Sequence, residues 1–271
     1  MSAAQAPVKF TVRPSQERGQ ANHGWLKTFH TFSFADYFDP AHSEFGALRV
    51  INEDRVEPKT GFGAHGHREF EIFSYVVSGE LQHNDSMGNM EVLKRGDLQM
   101  TSTGTGIRHS EMTHGDKQVH FLQIWSKPSQ SRLPPTYYTR HFSDVEKKDN
   151  WVRIVAPANA PGVSSEREAP GPAPVHSPLT LYASLISPGA SLSHVLADAP
   201  ANRRAYLHVV QTSGYNTKES KGATVSVASP GAGEAVLREG DGLYVTAAPG
   251  QELKVSNVGE GVAEVLLFEM D

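Results

Sequence analysis

Apolar residues along this chain come in short runs, not in long stripes. Clusters rich in β-branched and aromatic residues occupy 47–52, 69–77, 90–93, 98–101, 119–125, 179–186, 204–210, 224–228, 243–246 and 263–268, and 152–156 has the same character. Turn-forming residues separate them, drawn from 24 glycines and 17 prolines. No long window shows the recurrence at three and four residues that marks an amphipathic helix. Short runs at this spacing predict an antiparallel all-β sandwich or barrel with little helix. The longest apolar runs fall far short of a membrane-spanning helix.

The stretch 151–178 interrupts the rhythm. It starts as a strand and continues APANAPGVSSEREAPGPAPVHSP, a Pro-, Gly- and Ser-rich, charged segment. It reads as a long mobile surface loop over 156–178, within a chain of two units, 1–140 and 141–271. The halves carry a degenerate repeat. Tyr75-Val76-Val77-Ser78-Gly79 with Lys94-Arg95-Gly96-Asp97-Leu98 is echoed by Val209-Val210-Gln211-Thr212-Ser213-Gly214 with Arg238-Glu239-Gly240-Asp241-Gly242-Leu243.

Composition narrows the chemistry. Among 271 residues the formal net charge is −5, with no basic footprint for direct nucleic-acid or membrane-surface binding. Cysteine is absent, which removes disulfides, thiolate metal sites, Fe–S clusters and cysteine nucleophiles. The first ten residues show no secretory pattern, so an intracellular location, cytoplasmic or nuclear, is the expectation. Any metal must be held by nitrogen and oxygen, and 13 histidines supply the nitrogen.

Two pairs stand out, His65-Gly66-His67 and His109-Ser110-Glu111, each in a strand-like stretch. Residues i and i+2 of a strand share a face, about 6–7 Å apart along the backbone. Two such strands side by side can close three imidazoles and a carboxylate on one metal ion. The approach to the second pair, Thr103-Gly104-Thr105-Gly106, suits a tight corner that demands positive φ or close packing. Glu69 and Glu71 have the parity of His65 and His67 and could also face inward. Glu111, sharing a face with His109, is the preferred carboxylate, with Glu71 a supporting or separately stabilised buried acid. The donor set suits Fe(II), Cu(II), Mn(II), Ni(II) or Zn(II). Four ligands leave two positions open on an octahedral ion, whereas on zinc they would nearly saturate a structural site.

In the second half, sliding the repeat by its glycine turns sets Pro200 and Asn202 against His65 and His67, and Leu253 and Val255 against His109 and Glu111. None can replace its counterpart, so one metal is expected, in the first half. Among the other histidines, His83 reads as a solvated turn residue. His23, His30 and His42 lie with Trp25, Phe29, Phe32, Phe34, Tyr37 and Phe38, read as packing around one end of the barrel. His114 and His120 read as ordinary surface or core residues, and His194 and His208 have no partner at ligand spacing. The glycine-rich stretch 103–107 lacks the lysine of a phosphate loop.

The stretch Gly61-Phe62-Gly63-Ala64-His65-Gly66-His67-Arg68-Glu69-Phe70-Glu71 resembles the pirin family of bicupins. So do His83-Asn84-Asp85-Ser86-Met87-Gly88-Asn89 and Gly104-Thr105-Gly106-Ile107-Arg108-His109-Ser110-Glu111. His23-Gly24-Trp25-Leu26, Thr31-Phe32-Ser33-Phe34 and Leu48-Arg49-Val50-Ile51-Asn52-Glu53-Asp54 extend the likeness, which is strong over 18–128 and loose beyond. The resemblance implies two cupin-type β-barrels packed face to face. The N-terminal one would carry a non-haem metal, Fe(II) foremost, on His65, His67, His109 and Glu111. The wider cupin pattern places its carboxylate after the first histidine pair, at Glu71, and many pirins have proline where this chain has Gly66. Some pirins resemble quercetin 2,3-dioxygenases, which open a flavonol with dioxygen and release carbon monoxide; others are nuclear, iron-dependent coregulators of transcription factors.

On the enzymatic reading, a flavonol and dioxygen are the partners. Glu111 is the general base, and Phe62, Phe73, Met100 and Phe121 are the apolar wall. The alternative is a non-catalytic protein that reports metal or redox state to a protein partner. A third reading is a dioxygenase or isomerase for another small enolisable compound.

Overall fold

The computed structural model of the chain describes residues 8–198 and 202–271. Its strands are β1 (Lys9–Arg13), β2 (Gly19–Asn22), β3 (Leu26–His30), β4 (Leu48–Val56), β5 (Gly61–His67), β6 (Glu71–Ser78), β7 (Glu80–Asp85), β8 (Met90–Lys94), β9 (Asp97–Ser102), β10 (Ile107–Thr113), β11 (Val119–Ser126), β12 (Thr136–His141), β13 (Val152–Pro157), β14 (Ala173–Val175), β15 (Leu179–Ile186), β16 (Ser191–Val195), β17 (Arg203–Val209), β18 (Thr224–Ser229), β19 (Gly233–Arg238), β20 (Gly242–Ala247), β21 (Glu252–Asn257) and β22 (Ala263–Met270). The α-helix among the described residues is one turn, α1 (Asp144–Lys147), opened by a reciprocal cap between Ser143 and Glu146. The chain is nearly all β, 4% helical, as the run pattern predicts.

Two compact units share the chain. One takes Arg18–Phe142 and Ile154–Leu179; the other takes Ser143–Arg153 and Thr180–Asp271, with the N-terminal residues up to Glu17. The division expected at 140/141 is therefore crossed in both directions. β1 leaves the first half to pair with β20, Lys9 opposite Thr246. The segment 154–179 returns to the first unit, where β14 runs parallel to β13. Its expected character as a mobile loop also needs correction. The buried Arg140 guanidinium donates to the carbonyls of Ser164, Glu166 and Arg167 at 2.8, 3.1 and 2.9 Å, which ties the middle of the segment down.

The first unit contains the sheets β12-β9-β6-β11-β4-β3-β2 and β5-β10-β7-β8. These are separate sheets and not the expected closed barrel. Leu26, Val56, Val76, Leu81, Leu93, Val119 and Phe121 form an apolar core here, with Trp25 and Phe62 against it. At the corner before β10, Gly104 has φ +41, and a Cβ there would collide with the Leu133 carbonyl oxygen. The sequence motif demanded glycine for this reason.

The second unit repeats the plan, with the order β1-β20-β17-β22-β15 in one sheet and β16-β21-β18-β19 in the other. β16 thus takes the place of β5, and β21 that of β10. Leu253 and Val255 fall on β21, both fully buried, as sliding the Gly-Asp turns implies. The other alignment is corrected. His194 on β16 faces Leu253 as His65 on β5 faces His109, so the counterpart of His65 is His194. Asn202 precedes β17, and Pro200 lies outside the described residues. His194 lies 2.8 Å from Glu269 Oε2, and neither residue joins a metal-type cluster among the described residues. The slip arises because the connection from β16 to β17 is longer than its equivalent in the first half.

Candidate metal centre

β5 and β10 pair antiparallel, with His109 directly opposite His65, and the register shifts between His109 and Glu111 so that Glu111 faces Phe62. Such a bulge re-aims a side chain. It leaves His65, His67 and His109 converging, with one ligand atom of each within 4.8 Å of the others. His65 and His67 are half-buried and His109 is buried.

The protons on these rings follow from their neighbours. His65 Nδ1 lies 2.7 Å from the Gly63 carbonyl oxygen. A carbonyl only accepts, so Nδ1 donates and the neutral ring keeps its lone pair on Nε2. That Nε2 stands 3.2 Å from His109 Nε2. His67 Nε2 and His109 Nδ1 are buried without any hydrogen-bond partner. Burial, reinforced by His109 and His65, pulls His67 down to about 4. Burial lowers His109 as well, against the raising effect of Glu111. Imidazoles crowded together, two of them with an unsatisfied nitrogen, fit a divalent cation.

Glu111 is fully buried and held from three sides. Its Oε1 accepts from Ser74 Oγ at 2.9 Å and Gln99 Nε2 at 2.8 Å, and Oε2 accepts from Gln123 Nε2 at 3.1 Å. Its nearest set of candidate ligands is not the whole histidine triad but His109 together with His83. The solvated-turn reading of His83 is thereby corrected. The ring lies on β7, fully buried, 5.3 Å from His109 and stacked on Tyr137 at 4.9 Å, with Nε2 bonded to Asp85 Oδ2 at 3.2 Å. Asn84 and Asp85 look like a turn in sequence, but β7 continues through them to pair with β10. A buried histidine with one nitrogen on a carboxylate is arranged as a metal-supporting ring is.

The other acids have separate roles. Glu71 is buried, pushed up by burial, and accepts from Ser102 Oγ at 2.6 Å and the His176 backbone N–H at 3.0 Å. Glu69 accepts the Arg132 backbone N–H at 3.1 Å. Neither joins the metal-type clusters among the described residues.

A cavity of about 390 Å³ opens beside the triad, walled by Trp25, Phe34, Phe62 and Trp125 and reaching His65 and His67. Of the four expected wall residues only Phe62 lines it. Ser74 and Gln99 face each other across β6 and β9 and both reach Glu111, so their neighbours Phe73 and Met100 point to the opposite face. Phe121 is buried in the apolar core. Trp25 and Phe34 come from the N-terminal aromatic stretch read as end packing. Trp125 lies near the end of β11, its ring 4.8 Å from His67.

The sequence model of the Pirin family matches residues 11–126. The chain is similar to a quercetin 2,3-dioxygenase of Escherichia coli O157:H7, 36% identical over 260 residues that span 96% of this chain and 97% of that one. The crystal structure of YhhW from Escherichia coli matches with a TM-score of 0.79 at 34% identity, covering 97% of each chain. The bacterial pirin YhhW in complex with nickel(II) gives 0.78 at 34% identity, over 96% of this chain and 98% of that one.

Proposed function

Because the chain belongs to the pirin family, we propose that it is a metal-dependent dioxygenase of the quercetin 2,3-dioxygenase type, acting on a flavonol with dioxygen. One observation carries this reading: an aromatic, ligand-sized cavity opens onto clustered imidazoles next to a buried, pre-oriented carboxylate. A surface that only reports metal state has no need of such a chamber, and nothing else in the site favours the coregulator reading.

His65, His67 and His109 would hold the ion, with Glu111 beside His109. A divalent metal bound there supplies Lewis acidity toward a chelating hydroxyl and a route for electrons to dioxygen. The donor set accommodates iron(II), the ion foremost in the family resemblance, as well as the nickel(II) of the YhhW complex. Glu111 takes the proton of the flavonol 3-hydroxyl as general base. The bonds from Ser74, Gln99 and Gln123 fix its orientation before substrate arrives, so little reorganisation remains for the reaction itself. Trp25, Phe34, Phe62 and Trp125 pack against the rings of the substrate and exclude bulk water.

The test is anaerobic incubation of metal-loaded protein with quercetin, followed by dioxygen. Ring-opened product and carbon monoxide in equal amounts support the proposal. Their absence with iron(II), nickel(II), copper(II) and manganese(II) alike eliminates it.

A further inference from the structure

The cavity beside the histidines has a polar floor, and two groups on it have no close partner beyond a loose contact with each other. Thr28 pairs with Asp54 across β3 and β4, His30 with Asn52 in the same register, and Asn52 with Gln123 on β11. Alternation along the strands puts these five side chains on one face, and all five line the cavity. Three are satisfied. His30 Nδ1 and Asn52 Oδ1 meet at 2.8 Å, and Gln123 donates to Glu111. Asp54 Oδ1 and Thr28 Oγ1 are not: both are buried without a hydrogen-bond partner, and each residue is only 2% exposed. Neither atom is used by the metal cluster or by the chemistry assigned to Glu111. Buried polar atoms are rarely left without a well-formed hydrogen bond, and here both residues belong to the wall of the ligand chamber.

We infer that Asp54 and Thr28 form a recognition point for a second hydroxyl group of a planar aromatic substrate, distinct from the hydroxyl that meets the histidines. The inference rests on the flavonol reading above and deepens it, because it makes the pocket selective for polyhydroxylated ligands. Asp54 Oδ1 accepts the hydroxyl hydrogen, while the Thr28 hydroxyl donates to the ligand oxygen. The environment suits either direction of bonding. Burial, with the charge of Glu111 nearby, pushes the Asp54 carboxyl up to about 7. The Thr28 hydroxyl, in loose mutual contact with the carboxyl, offsets part of that rise. A carboxyl poised there can accept from a ligand hydroxyl when ionised and donate to it when protonated.

The experiment is anaerobic binding, followed by tryptophan fluorescence, of 3-hydroxyflavone and quercetin to nickel-loaded protein. The variants are Asp54→Leu and Thr28→Val. The wild type is expected to favour quercetin by roughly tenfold, the scale of one hydrogen bond to a charged or poised group. Asp54→Leu should bring the ratio of the two dissociation constants close to one, with 3-hydroxyflavone bound at least as well as before. Thr28→Val should lower the ratio by about threefold, and it decides the matter alone if Asp54→Leu does not fold by its melting transition. A quercetin preference that survives unchanged in the folded variants overturns the inference and leaves the dioxygenase reading standing. If the wild type binds neither compound, the flavonol reading fails and this inference falls with it.

Discussion

Gln99 is the hinge of the network behind the candidate metal centre, and replacing it with leucine probes that network directly. Its Nε2 donates to Glu111 Oε1 at 2.8 Å and to Ser74 Oγ at 3.1 Å, while its Oε1 lies 3.2 Å from the Tyr137 hydroxyl. Gln99→Leu keeps the volume roughly constant and removes all three contacts. Tyr137 retains Glu91 at 3.0 Å, so its hydroxyl is not orphaned. The bond to a buried carboxylate is worth about 1.5–3 kcal/mol, and the bond to Ser74 about 1 kcal/mol. A loss of roughly 2.5–4 kcal/mol should lower the melting temperature of metal-free protein by about 5–16 °C for a unit of this size. The sharper readout is a double-mutant cycle with Glu111→Leu. With the carboxylate gone, Gln99→Leu replaces a donor that has lost its main acceptor, so its cost should shrink to about 1 kcal/mol or less. That leaves a coupling of about 2 kcal/mol. Additive single effects, within about 0.5 kcal/mol, would mean that Gln99 does not hold Glu111, and the pre-oriented base in the proposed mechanism would lose its support.

Asp54 gives a pH signature. Its folded value near 7 lies above the ordinary 3.8, so between about pH 4 and 7 the folded chain keeps a proton that the unfolded chain has lost. Stability from this group is therefore full below pH 4 and is lost as the pH rises through 7. The loss is at most about 4 kcal/mol, and Asp54→Leu should be flat by comparison in denaturant titrations from pH 4 to 8; parallel profiles would contradict the assignment. His67, pulled down to about 4, acts in the opposite sense in metal-free protein, which should gain stability as pH rises from 4 to 6.5. Arg140→Ala should speed trypsin cleavage after Arg167 by roughly tenfold or more, because the carbonyls at 164–167 lose their anchor; an unchanged rate refutes that anchor. Gly104→Ala should cost at least about 2 kcal/mol because of its positive φ and the Leu133 carbonyl. Gly66→Ala meets only ordinary contact, 3.6 Å from the Ile107 oxygen, and should be neutral or stabilising by about 0.5 kcal/mol without loss of metal binding.

Strand parity was enough to bring His65, His67 and His109 together from sequence, because a two-residue period is local and survives any tertiary arrangement. What parity could not show was the bulge at His109/Glu111, which turns the carboxylate toward His83. His83 itself was hidden by its polar neighbours. Asn84 and Asp85 signal a turn, yet the strand continues through them because β10 supplies their partners. The cavity wall was partly misplaced for the same kind of reason. Phe73 and Met100 are apolar and near the site in sequence, but Ser74 and Gln99, one step away, own the inward face. The exchange of β1 and 154–179 between units depends on edge pairing, which leaves almost no local signature. The repeat located β21 correctly but not β16, since loop length between equivalent strands is free to drift.

Nickel(II) titration calorimetry, run side by side on wild type and His109→Ala, addresses the convergence of His65, His67 and His109 most directly. One ion bound per chain, with affinity falling at least a hundredfold in His109→Ala while its melting transition is retained, is the predicted result. Equal affinity in the two proteins, or no binding by the wild type, would contradict a metal centre at these side chains.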